Sequence, residues 1–66
     1  MRLFINGEAA ECEIGLTIEQ LVRRYGLSLE ATLVEHNGVA LHRREWPEHS
    51  LGENDRIEIL RVAAGG

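Results

Sequence analysis

The 66-residue chain is 44% apolar and 27% charged, with eleven acidic residues against seven basic ones and a net charge of −4. At this length folding buries only about 60% of the surface the unfolded chain exposes, which leaves no mass for an active-site cleft between lobes. The acidic balance excludes a large positive field for a nucleic-acid backbone or an anionic membrane and points to protein partners with basic surfaces.

Met1 to Ile5 is a short β-favouring run that meets Asn6-Gly7, the dipeptide suited to the positive φ angles of a two-residue hairpin turn. The prediction is strand, tight turn, strand, with no stretch long enough for a signal-peptide core or a membrane span. The second strand, Glu8 to Ile14, places Ala10, Cys12 and Ile14 on one face and Glu11 and Glu13 on the other. Cys12 reads as a small buried hydrophobe. A lone cysteine makes no internal disulfide and no metal cluster, so a reducing, cytoplasmic setting is expected.

Thr17 opens a helix as N-cap, with Gln20 completing a capping box and Leu16 and Leu21 placed for a hydrophobic staple. Ile18, Leu21, Val22 and Tyr25 form the apolar stripe, and Glu19, Arg23 and Arg24 the wet face. Gly26 supplies the left-handed residue that stops the helix, and Leu27 folds back onto it. Thr32 to His36 reads as a third strand, turned at Asn37-Gly38 into Val39-Ala40-Leu41. His42 to Glu53 is polar and reads as an irregular connection pinned by Trp46 and Leu51. After a turn at Asn54-Asp55, Arg56 to Val62 is the last strand, with Ile57 and Ile59 inward and Glu58, Leu60 and Val62 outward. One crossover helix cannot serve an all-parallel repeat. The expected fold is therefore α+β, a β-grasp in which a mixed sheet, its first and last strands parallel and adjacent, packs on a single main helix. The domain covers residues 1–62, and 63–66 form a flexible tail.

His36, His42 and His49 match no helical pair and no zinc spacing, and Ser50 sits in no nucleophile elbow. These histidines read as solvated or locally hydrogen-bonded, and no catalytic or metal constellation emerges. All seven basic residues are Arg, so the chain carries no side-chain amine for Schiff-base or isopeptide chemistry. Glycine is more informative. Five of the seven glycines stand at turns or caps, while Gly65 and Gly66 close the chain without a structural reason. Four residues from Ala63 reach about 13 Å at ~3.3 Å each, and without Cβ atoms the last two can thread a narrow channel. A carboxylate resists nucleophiles, but as an acyl-adenylate it has a good leaving group. Gly65 and Gly66 are thus the candidate reactive terminus, presented to another protein's catalytic site. Phe4, Leu60 and Val62 fall out of phase with the core residues, so together with the stem Ala63 and Ala64 they are the candidate docking residues.

The run Asn37-Gly38, Arg44-x-Trp46, Leu51, Asp55-Arg56-Ile57-Glu58-Ile59 and Gly65-Gly66 resembles the bacterial sulfur-carrier proteins of thiamine biosynthesis, the ThiS family. Asn6-Gly7-Glu8 and Thr17-Ile18-x-x-Leu21 resemble it too, so the likeness spans essentially the whole chain. The family commonly has Gly-Asp where this chain has Asn54-Asp55, and Asn tolerates the positive φ that such a turn needs. The stem Val62-Ala63-Ala64 is slimmer than in some relatives. The resemblance implies a ubiquitin-like fold and adenylation of the Gly66 carboxylate by a ubiquitin-activating-like enzyme that uses ATP, with no cofactor bound to the carrier itself. It further implies sulfur from a donor such as a cysteine desulfurase, and a thiocarboxylate that gives its sulfur to thiazole synthase. A carrier for molybdenum-cofactor biosynthesis, a ubiquitin-like protein modifier and a plain β-grasp binding module share the fold and remain alternatives.

Overall fold

The computed structural model describes residues 1–62. Strand β1 (Arg2–Ile5) turns at Asn6-Gly7 into antiparallel β2 (Glu8–Glu11), followed by helix α1 (Ile18–Arg24). Then come β3 (Thr32–His36), β4 (Val39–Leu41), a 3₁₀ helix (Arg43–Glu48) and β5 (Arg56–Arg61). The sheet order is β2-β1-β5-β3-β4, with β5 parallel to β1 and antiparallel to β3. This is the expected β-grasp: the last strand enters between the two hairpins, and the helix covers one face.

Local chemistry accounts for most boundaries. Asn6 and Asn37 have φ of 51° and 50°, and Gly7 and Gly38 follow at 84° and 86°, which is the type I′ geometry whose twist matches the flanking strands. Thr17 accepts from the Gln20 amide while the Gln20 side chain accepts from the Thr17 amide, the complete capping box. At the other end Gly26 N–H donates to the Arg23 carbonyl and Leu27 N–H to Val22, a Schellman stop with Gly26 at φ 70°.

The core joins Leu3 and Ile5 of β1, Val34 of β3 and Ile57 and Ile59 of β5 to Ile18, Leu21 and Val22 of the helix. Leu16, Trp46 and Leu51 close it from the connecting segments. Trp46 is buried by the 3₁₀ helix, which orders the stretch expected to be irregular; Pro47 lies within that helix. Two expectations need correction. β2 stops at Glu11, because its partner β1 has run out at Arg2, and the chain then crosses the sheet end through Gly15 at φ 90°. Ile14 is consequently 89% exposed rather than on the apolar face. Tyr25 is the helix C-cap and half-exposed, not a buried member of the stripe.

Candidate functional site: the base of the tail and the open sheet face

Alternation along the strands sends one set of side chains to the helix and the other to an open face. On that face Leu60 stands directly opposite Leu33, and Val62 follows two residues on. Leu33, Leu60 and Val62 are 57%, 52% and 46% exposed, so three branched aliphatic side chains share solvent at the end of β5. Phe4 lies on the same face but opposite Arg56. Four residues separate Arg56 from Leu60, roughly 13 Å of strand, so Phe4 is not part of that cluster. It lines a shallow depression of about 240 Å³ with Gly7, Arg56 and Glu58. Leu33 escaped sequence reasoning because its exposure depends on the β3–β5 register. The even spacing from Leu33 to Glu35 was the available signal. Ala63, Ala64, Gly65 and Gly66 lie outside the described residues; pairing with the β3 side continues to Val62, whose N–H donates to the Ala31 carbonyl at 2.7 Å.

β5 is locked from both sides by the side chains of the two turn asparagines. Asn6 Oδ1 accepts from the Ile59 amide at 2.8 Å and its Nδ2 donates to the Ile59 carbonyl at 3.3 Å, so one side chain imitates a further strand residue. Asn37 Oδ1 accepts from the Arg56 amide at 2.8 Å, and its Nδ2 donates to Asp55 Oδ1 at 3.2 Å. The same residue type meets two demands, a positive φ and a two-headed amide.

A polar cluster sits at the opposite end of β5. His36 Nε2 lies 2.6 Å from Asp55 Oδ2, and His36 Nδ1 lies 2.8 Å from His49 Nε2, the two rings meeting edge to face. Gly52 N–H also donates to Asp55 Oδ2 at 2.7 Å. Partial burial by itself would raise the Asp55 carboxyl, but the bonds from His36, Gly52 and Asn37 together outweigh it and hold it below the ordinary carboxylate range. His36 and His49 are thus partners, while His42 stands apart at the start of the 3₁₀ helix. Asp55 and Val62 are seven residues apart, roughly 23 Å, so this cluster does not serve the tail. Among the described residues no group of three His, Cys, Asp or Glu could hold a metal ion. Cys12 is half-buried and free, packed against the core edge. On the surface, Arg24 forks onto Glu13 and pulls its carboxyl down to about 2. No described helix is long and apolar enough to cross a membrane.

The geometry offers a firmly held strand, an apolar patch beside its end and a chain that continues from it. A family model described as the ThiS family matches residues 3–66. The sulfur carrier protein ThiS of Escherichia coli strain K12 is 26% identical over 66 residues, the full length of both chains. A thiazole synthase of Magnetococcus marinus is 33% identical over all 66 residues, and this chain spans only 20% of that protein's length. The crystal structure of the thiamine biosynthesis protein ThiS from Geobacter metallireducens superposes with a TM-score of 0.86 at 26% identity, covering 100% of both chains.

Proposed function

This chain belongs to the ThiS family, and from that premise we propose that it is the sulfur carrier of thiamine biosynthesis, with the Gly66 carboxylate as the group that carries the sulfur. The observation that bears the reading is a family match running through residue 66, so that it includes the Gly65-Gly66 pair. A partner enzyme joins the carboxylate to AMP with release of pyrophosphate from ATP. Sulfide attacking the activated carbonyl carbon expels AMP and gives the thiocarboxylate directly; a persulfide donor instead gives an acyl disulfide, from which an attacking thiol releases the thiocarboxylate while forming a disulfide with the donor cysteine. The fold's contribution is presentation: β5 is fixed by two asparagines and two neighbouring strands, so Val62, the last residue before the stem, has a defined place. Leu33, Leu60 and Val62 supply desolvation energy for docking, with the stem Ala63 and Ala64 adding no bulk.

Thiazole synthase is the fitting acceptor, because relatives bearing that name contain a segment like this chain within a polypeptide about five times longer. An adenylating enzyme and a sulfur donor such as a cysteine desulfurase are the other partners of the scheme, and the cytoplasm is the compartment that holds ATP and keeps Cys12 reduced. Intact-protein mass spectrometry after incubation with ATP, the activating enzyme and a sulfur source tests the reading. The expected result is the mass gain of one sulfur replacing one oxygen, confined to the C-terminal residue. Deletion of Gly66 leaves the circular dichroism spectrum intact and abolishes the gain. An unmodified wild-type protein beside an active enzyme, or a deletion variant that still gains sulfur, overturns it.

A further inference from the structure

The backbone of β5 divides its hydrogen bonds by parity. The carbonyls of Asp55 and Ile57 accept from Phe4 and Asn6 on the β1 side, and both polar groups of Ile59 are taken by the Asn6 side chain on that same side. The even residues face β3: the Arg56 carbonyl accepts from Asn37, and Val62 N–H donates to Ala31. Arg61 therefore aims its N–H and C=O toward the β1 side. β1 has ended by then. It stops at Ile5, and the chain turns back at Asn6-Gly7 two residues short of Arg61 along β5. Among the described residues no bond to the Arg61 main chain is found, so the lane vacated by β1 is open at Arg61, sealed behind by the Asn6 amide.

An exposed strand edge recruits another strand, through main-chain bonds that give affinity and alternate side chains that give choice. This edge has a particular address. It begins five residues before Gly66, and its open-face flank carries Leu60 and Val62. On the helix-side flank the exposed Arg61 guanidinium, opposite Thr32, has no ion-pair partner among the described residues.

We propose that this lane receives an extended segment of the thiazole synthase, which adds to the sheet beside β5 at Arg61 and so leads the tail toward the acceptor site. The proposal rests on the carrier function argued above. The segment's side chains alternate between apolar, toward Leu60 and Val62, and acidic, toward Arg61. The occupant is the synthase because relatives bearing that name hold a segment like this chain within one polypeptide, which keeps carrier and synthase side by side.

Arg61→Pro isolates the main-chain donor. Its N–H takes no part in the β3–β5 ladder, and proline at such an edge position costs the fold no hydrogen bond. Arg61→Ala removes the side chain and keeps the donor. Affinity of each full-length variant for the thiazole synthase is measured by calorimetry, with thermal unfolding as the check on folding. A chain carrying an ester in place of the Leu60–Arg61 amide replaces the proline variant should that unfold. Alanine is expected to weaken binding by about threefold, as one exposed ion pair does. Proline or ester weakens it by at least about tenfold more, the value of one hydrogen bond desolvated in an interface. Equal affinity of the proline and alanine variants overturns the lane while leaving the carrier function standing. Loss of thiocarboxylate formation with synthase affinity unchanged assigns the lane to the activating enzyme and overturns the synthase as occupant. Concentration-dependent dimerisation in the ultracentrifuge that proline abolishes, again with synthase affinity unchanged, assigns it to a second copy of this chain. A wild-type protein that neither accepts sulfur nor binds the synthase overturns both readings together.

Discussion

Replacing Asp55 by Asn removes one charge and almost no volume, and the cluster around it sets the cost. Oδ2 serves His36 and Gly52, and Oδ1 serves Asn37. The least damaging placement puts the new NH₂ where Oδ1 was, facing the Asn37 NH₂. Asn37 cannot rotate to answer, because its own Oδ1 holds the Arg56 amide. One hydrogen bond is lost, two donors oppose each other, and the bond from His36 loses its charge assistance. About 2 kcal/mol is expected, which lowers the melting temperature of a domain this size by roughly 10 °C. The carboxyl is depressed in the folded state, so its contribution is complete above the unperturbed value of 3.8 and is lost as the pH falls below that value through the folded one. Asp55→Asn has no such contribution to lose, so the gap between the two proteins must narrow in acid. Urea unfolding followed by the fluorescence of the buried Trp46, at neutral pH and near pH ~3, measures both. A variant within about 0.5 kcal/mol of wild type at neutral pH, or a gap that stays constant into acid, refutes the reasoning.

Asn6→Gly separates turn from clamp, since glycine accepts the positive φ and cannot bond Ile59. A loss of about 1–2 kcal/mol in urea unfolding is expected, with faster hydrogen exchange at the Ile59 amide; an unchanged exchange rate at Ile59 would remove the clamp from the account. Leu60→Glu places a charge on a side chain that is already half exposed, so the melting temperature should move by only a few degrees. Its affinity for the activating enzyme should fall about tenfold or more by calorimetry, and an unaltered affinity would show that the aliphatic patch is not the docking surface.

What the sequence carried and what it hid divide along contact range. Both hairpin turns, the helix start at Thr17 and its stop at Gly26 rest on residues within five positions of one another, and all were readable. The inward phase of Ile57 and Ile59 was readable because period two is a local property. Ile14 was misplaced because strand length is set by the partner, and β1 ends before β2 could use it. The Asp55–His36–His49 cluster escaped for the same reason: its members are separated by 6 to 19 positions and meet only when β3 and β5 pair. Asn6 and Asn37 were assigned to their turns correctly, yet their grip on β5 joins residues up to 53 positions apart. Of the candidate site, Leu60 and Val62 were found by phase alone, whereas the separation of Phe4 from them needed the parallel register.

The central seat of β5 also decides how the domain bears load. An enzyme that draws the C-terminal stem into its site pulls on a strand flanked by two others and pinned at Ile59 and at Arg56. Force along that strand shears several backbone bonds and both asparagine contacts at once, instead of peeling them open singly. Under tension the anchor should therefore outlast an outer hairpin.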